Sequence, residues 1–155
     1  MSMTSQNAVN NRLPLTAETE RLMEAAAAAA LNAYAPYSGF RVGAAILLHS
    51  GVVVTGANVE NMSFGLTLCA ERSALVRAIA EHGPNLRIAA VAIANLNQAA
   101  SPPCGACRQV LAEFCQPDVM VSFPAASSIP GEIHPHTCTF GELMPFGFQL
   151  QPRSS

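Results

Sequence analysis

Two short cysteine motifs, Cys69-Ala70-Glu71-Arg72 and Pro103-Cys104-Gly105-Ala106-Cys107-Arg108, each stand where a helical pattern begins. If their three thiols serve one metal, two helix starts remote in the chain must meet at one place. In an open α/β sheet the helix starts lie at the carboxyl edge of the strands, where ligands usually bind. The motifs therefore select a fold in which both helices start on the same edge of a sheet.

The rest of the chain reads in agreement. Thr16 can cap a first helix whose opening turn carries Glu18 and Glu20, and the alanine run continues it to about Tyr34, before Pro36 and Gly39. Residues 41–48 and 52–57, rich in Val, Ile and Leu around His49-Ser50-Gly51, read as a β-hairpin. A second helix runs from about Cys69 to Glu81, ahead of Gly83-Pro84. Residues 88–94 form a buried strand. A third helix runs from Cys104 to about Gln116-Pro117, residues 119–123 form another strand, and Thr139 caps a short last helix. The order α-β-β-α-β-α-β predicts an α/β fold, a three-layer α/β/α sandwich with a mixed sheet. Strands 88–94 and 119–123, joined through a helix, are expected to run parallel with a right-handed crossover.

Three cysteines leave a tetrahedral zinc one protein ligand short, which is the arrangement of catalytic rather than structural sites. Glu71, two residues after Cys69, falls near that open position without being needed as a ligand. Three thiolates make the centre negative, so charge must be drawn from the sulfurs. Helix-start N–H groups and Arg72 are placed to do so. The bland alternatives are a redox dithiol, which leaves Cys69 and Glu71 without a role, and a structural zinc site completed by His134 or His136. Glu71 could also be an ordinary first-turn acid complementing the helix dipole.

At 155 residues the chain suits one domain, assigned to residues 13–150 between a flexible tail at 1–12 and a short tail at 151–155. Only 12% of residues are charged, against about 25% in typical soluble domains. Burial between subunits accounts for such a composition, as does the alanine-rich segment alone. The net charge is −2 and the eight basic residues are scattered, so no basic stripe exists for a polynucleotide. Five cysteines, three of them in the motifs, fit a reducing cytoplasm better than a disulfide framework. Cys115 is expected on the third helix as a small buried residue, and Cys138 has no assignment. No stretch approaches the roughly 18 apolar residues of a membrane span, and no export signal is evident.

A non-ligand Glu near a three-cysteine zinc, with a downstream Pro-Cys-x-x-Cys, is the pattern of zinc nucleobase deaminases. Beyond it, Ala33-Tyr34-Ala35-Pro36-Tyr37-Ser38-Gly39-Phe40, Val42-Gly43-Ala44-Ala45, Asn58-Val59-Glu60-Asn61 and Leu143-Met144-Pro145-Phe146-Gly147-Phe148 occur in order. On these residues the chain resembles the small cytidine deaminases, over nearly its whole length from Leu15 to Phe148. The resemblance implies one Zn2+ per subunit on Cys69, Cys104 and Cys107, with Glu71 as the catalytic proton carrier and Arg72 beside the ligands. It implies nucleoside contacts from Phe40, Asn58, Glu60 and Ala70, the Asn58 and Glu60 side chains holding ribose hydroxyls. It also implies a homotetramer with shared active sites, in which Phe148 reaches a neighbouring subunit. Phe40 and Phe148 could otherwise be ordinary core residues, and Glu60 could be turn chemistry. Phe64 stands where many relatives carry tyrosine, and the Ser-, Pro- and Gly-rich segment 124–136 matches nothing in the family pattern.

The expected activity is hydrolytic deamination of cytidine and deoxycytidine to the uridines, with release of ammonia, as in pyrimidine salvage. Glu71 would pass a proton from water to ring N3 and then protonate the departing amino group. The alternatives are a zinc deaminase of another aminopyrimidine nucleoside and a non-catalytic structural zinc module.

Overall fold

A computed structural model describes residues 16–148. The tails expected at 1–12 and 151–155 lie outside them. Helix α1, Ala17–Ala30, starts where predicted: the Thr19 amide donates to the Thr16 hydroxyl at 3.2 Å, and Glu18 and Glu20 occupy the first turn. Strands β1, Val42–Leu48, and β2, Val53–Ala57, form the hairpin. Helix α2, Ala70–His82, leads to strand β3, Ile88–Asn95. Helix α3, Gly105–Leu111, is followed by strands β4, Cys115–Ala126, and β5, Ile133–Thr139. A last turn of helix, α4, Phe140–Leu143, is held by a complete capping box between Thr139 and Glu142.

The sheet order is β2-β1-β3-β4-β5, with β3 and β4 parallel and every other pair antiparallel. Strand alternation sorts the core into two layers. Ala45, Ala92 and Ala94 face α1, whereas Ala44, Ile46, Val91 and Ile93 pack with α2, α3 and α4 on the other face. The sandwich is therefore three-layered, as expected. Small residues set how closely the helices lie on it. A Cβ added at Gly43 would sit 2.0 Å from the Ala26 carbonyl oxygen, and one at Gly56 would sit 2.3 Å from the Ala74 amide nitrogen. The alanine run of α1 and the Ala70, Ala74, Ala78 side of α2 thus serve close helix-on-sheet contact.

Several boundaries differ from expectation. Helix α1 ends at Ala30, not Tyr34, because the chain at Tyr34 bridges to Val59, its amide donating to the Asn58 carbonyl and its carbonyl accepting from the Glu60 amide. Helix α3 stops at Leu111, so Cys115 begins β4 and pairs with Ile88 rather than sitting on a helix. It is buried as expected, and burial pushes its thiol up to about 12. The unplaced segment 124–136 contains the end of β4, a turn with Gly131 at φ +83°, and the start of β5. Its prolines do not prevent pairing. Pro124 and Pro135 face each other, beyond the last residue pair that β4 makes with β3. Cys138, on β5 opposite Val121, is a buried member of the larger core.

Candidate metal centre and adjoining pocket

Cys69 and Cys104 are the N-cap residues of α2 and α3, and Cys107 lies in the first turn of α3. The Cys107 amide donates to the Cys104 sulfur at 3.4 Å, so a sulfur fills the capping role that oxygen fills elsewhere. The Sγ atoms of Cys69 and Cys104 are 3.9 Å apart and those of Cys104 and Cys107 3.4 Å apart. Tetrahedral ligands at a Zn–S distance of about 2.3 Å lie about 3.8 Å from one another. The soft, three-sulfur donor set fits zinc in both chemistry and spacing. Among the described residues this is the one cluster of His, Cys, Asp or Glu ligand atoms close enough to share an ion. His134 and His136, on β5, are not in it, so the histidine-completed structural site has no geometric support.

The electrostatics follow from this packing. The neighbouring Cys107 thiol and the Arg72 guanidinium stabilise a thiolate at Cys69 and lower its pKa to about 5. Cys107, wholly buried and facing that negative sulfur, is pushed far up in return. Arg72 reaches the Cys69 sulfur with Nη2 at 3.6 Å while the same nitrogen donates to the Thr67 carbonyl at 3.1 Å. Glu71, 5% exposed, is raised above the usual carboxylate range, first by burial and then by the charge at Cys69.

Glu71, Cys69 and Cys104 open into a cavity of about 580 Å³ that also contains Phe40, Asn58, Glu60 and Ala70. The cavity lies at the carboxyl ends of β2 and β3 and the start of β1, the edge that the motifs required. Five of the residues singled out from sequence thus meet one another there along with two of the sulfurs. Their side chains are more engaged than expected. Asn58 accepts from the Val42 amide through Oδ1 at 2.9 Å and donates from Nδ2 to the Phe40 carbonyl at 2.8 Å. Glu60 accepts from the Tyr37 amide at 2.9 Å, the Ser38 amide at 3.3 Å and the Ser38 hydroxyl. The Ser38 hydroxyl, then the two amides, hold the Glu60 carboxyl below its ordinary range. Both residues therefore fasten the loop that presents Phe40, which is 37% exposed at the cavity wall.

Phe148 does not join this cavity. It is 65% exposed, with its carbonyl accepting from Gln109 Nε2 at 3.2 Å, so core packing within its own chain is not its role. Phe64 is exposed too, edge-on to Tyr37 with ring centroids 6.2 Å apart. Sequence reasoning missed Ser38, Thr67, Ile93 and Ser101 as lining residues. Ser38 sits in the Pro-Tyr-Ser-Gly turn and could have been found as a side-chain donor. Ile93 carries no signal beyond its strand pattern. Among the described residues no helix is long and apolar enough to cross a membrane, and all five cysteines are free thiols.

Residues 16–123 match the family model described as the cytidine and deoxycytidylate deaminase zinc-binding region. The cytidine deaminase of Halalkalibacterium halodurans is 43% identical over 134 residues, covering 86% of this chain and 96% of that one. The cytidine deaminase of Mycobacterium tuberculosis is 46% identical over 115 residues, 74% of this chain and 85% of the other. The crystal structure of the Burkholderia pseudomallei cytidine deaminase superposes with a TM-score of 0.70 at 41% identity, covering 86% of this chain and all (100%) of that one. With this match, these relatives and the three-sulfur cluster, the chain belongs to the cytidine deaminase family of zinc-dependent hydrolases.

Proposed function

We propose that the chain hydrolyses cytidine and deoxycytidine to the corresponding uridines and ammonia in the cavity beside the cysteine cluster, with Glu71 as its proton carrier. The observation that carries this is the position of Glu71: a buried carboxyl on the wall of a nucleoside-sized cavity, next to the metal cysteines but outside their cluster. Cys69, Cys104 and Cys107 would hold the zinc, which would supply Lewis acidity able to bring the pKa of a water from about 16 toward about 7. Glu71 takes a proton from the attacking water and gives it to N3 of the ring, which makes C4 electrophilic. It then takes the remaining proton from the new C4 hydroxyl and delivers it to the amino group as the C4–N bond breaks, so that the water oxygen stays as the C4 carbonyl and ammonia leaves. A carboxyl raised by burial suits this alternation, since both its protonated and ionised forms must be reached in one cycle.

The same cavity favours a free nucleoside. Its lining contains Glu60 and Glu71 and no Lys or Arg, so this chain offers a 5′-phosphate no cationic side chain. Asn58 keeps a second N–H and a second lone pair, and Glu60 keeps about one of roughly four acceptor sites, for ribose hydroxyls. Phe40 offers apolar surface to the rest of the nucleoside, Ala70 contributes to the cavity wall beside Glu71, and Arg72 draws charge from Cys69. Exposed Phe148 is the residue offered to a neighbouring active site in a homotetramer. Free thiols and the absence of a basic stripe fit an enzyme of the reducing cytoplasm acting on a small molecule rather than on polynucleotide.

The test is Glu71→Gln. The variant is expected to keep its zinc and to lose turnover by at least about 10²- to 10⁴-fold, followed as loss of the cytosine absorbance with matching ammonia release. A zinc-loaded variant turning over at near the parental rate would refute the role.

A further inference from the structure

Arg108, the residue after the last metal cysteine, spends its side chain on two backbone carbonyls. Its Nε donates to Pro103 O at 2.8 Å and its Nη1 to Leu143 O at 2.9 Å. Among the described residues it makes no ion pair. Pro103 is fully buried and directly precedes Cys104. The bond from Arg108 back to Pro103 therefore closes a ring around the stretch that contains both Cys104 and Cys107, and fixes the approach to one ligand from the residue following the other. Leu143 is the last residue of α4, whose final carbonyls have no partner inside the helix. A cation there also satisfies the helix dipole. The next residue, Gln109, holds the far end of the same segment through Phe148 O.

We infer that Arg108 is a positioning residue of the metal centre: its guanidinium fork holds the Cys104–Cys107 loop in ligand geometry and uses α4 as the fixed point. The fork is essential to this role. A lysine ammonium is a single point donor on a flexible stem and cannot present two N–H groups in the fixed divergence that spans Pro103 O and Leu143 O. The Gln109 side chain, by contrast, ties down only the segment beyond α4 and makes no hydrogen bond to the ligand loop. The inference rests on the zinc site proposed above.

The experiment measures zinc release from the full-length, zinc-loaded protein into a chromophoric chelator at 25 °C, beside the thermal midpoint of each protein. Arg108→Lys is expected to release zinc about 10- to 100-fold faster than the parent, the range seen when residues behind metal ligands are lost. Gln109→Ala is expected to release zinc at the parental rate. A parental rate in Arg108→Lys, even with a lowered thermal midpoint, would show a merely structural role and overturn the inference. So would equal acceleration in Gln109→Ala, because docking of the C-terminal segment would then be the cause. If Arg108→Lys does not fold, Arg108→Gln takes its place under the same criteria. A parent protein without stoichiometric zinc would overturn the site itself, an outcome distinct from the other two.

Discussion

Gly56 fixes the seat of the helix that carries Glu71, and replacing it with alanine should damage the site from outside. The added Cβ would lie 2.3 Å from Ala74 N, 2.8 Å from Ala70 O and 2.8 Å from Ala74 Cα, all backbone atoms of the first two turns of α2. Ordinary contact needs 3.4 Å or more, so α2 must retreat from β2 by about 1 Å, since rigid backbone cannot yield as a side-chain end can. Overpacking of this kind costs about 1–3 kcal/mol. At roughly 2–4 °C per kcal/mol for a chain of this size, the midpoint should fall by about 2–12 °C. The larger effect should be on chemistry, because α2 carries Cys69 at its N-cap and Glu71 in its first turn. A misplacement near 1 Å can cost about 10²-fold in rate. Gly43→Ala is the control: its Cβ would meet Ala26 O at 2.0 Å and Ala30 N at 2.5 Å, on α1 and the opposite face of the sheet. Thermal melts and kcat/KM for deamination, measured where both variants remain folded, separate the two. The reasoning predicts that both melt early and that Gly56→Ala loses much more activity. Equal loss of activity in the two, or an unshifted midpoint for Gly56→Ala, would refute it.

Two other consequences can be checked. Glu60 is held below the usual carboxylate range by the Ser38 hydroxyl and the Tyr37 and Ser38 amides. A lowered folded-state pKa contributes stability above the unfolded carboxylate value, which is lost as pH falls through the folded one. Glu60→Gln should therefore be less stable than the parent at neutral pH, with the gap closing as denaturation is repeated at increasingly acid pH; a gap independent of pH would contradict this. Phe148→Ala should lower kcat/KM by about 5- to 150-fold if its ring stacks in a neighbour's site, the equivalent of about 1–3 kcal/mol of base–aromatic contact. Light scattering on the parent should give the mass of four chains, and a mass near that of one chain would remove this role for Phe148.

The cysteine motifs were legible because their chemistry is local. Two cysteines three apart share a helix face, Glu71 follows Cys69 within one turn, and both helices announce their starts. The order of helices and strands as far as β4, the parallel pairing of β3 with β4 and the Thr139 cap were legible for the same reason, through period, caps and breakers. What the chain alone did not disclose depends on partners remote in sequence. α1 ends at Ala30 because Val59 takes the backbone at Tyr34, and Cys115 leaves the helix because Ile88 pairs with it. Residues 133–139 become a strand, despite Pro135, because β4 offers them an edge. Asn58 and Glu60 could be picked from sequence as pocket residues, but only the tertiary structure shows them fastening the Phe40 loop, and shows Arg108 bracing the ligand loop against α4. Periodicity and spacing report the bonds a residue makes with its near neighbours; where it spends its remaining donors and acceptors is decided when the layers close and each buried polar group must find a partner.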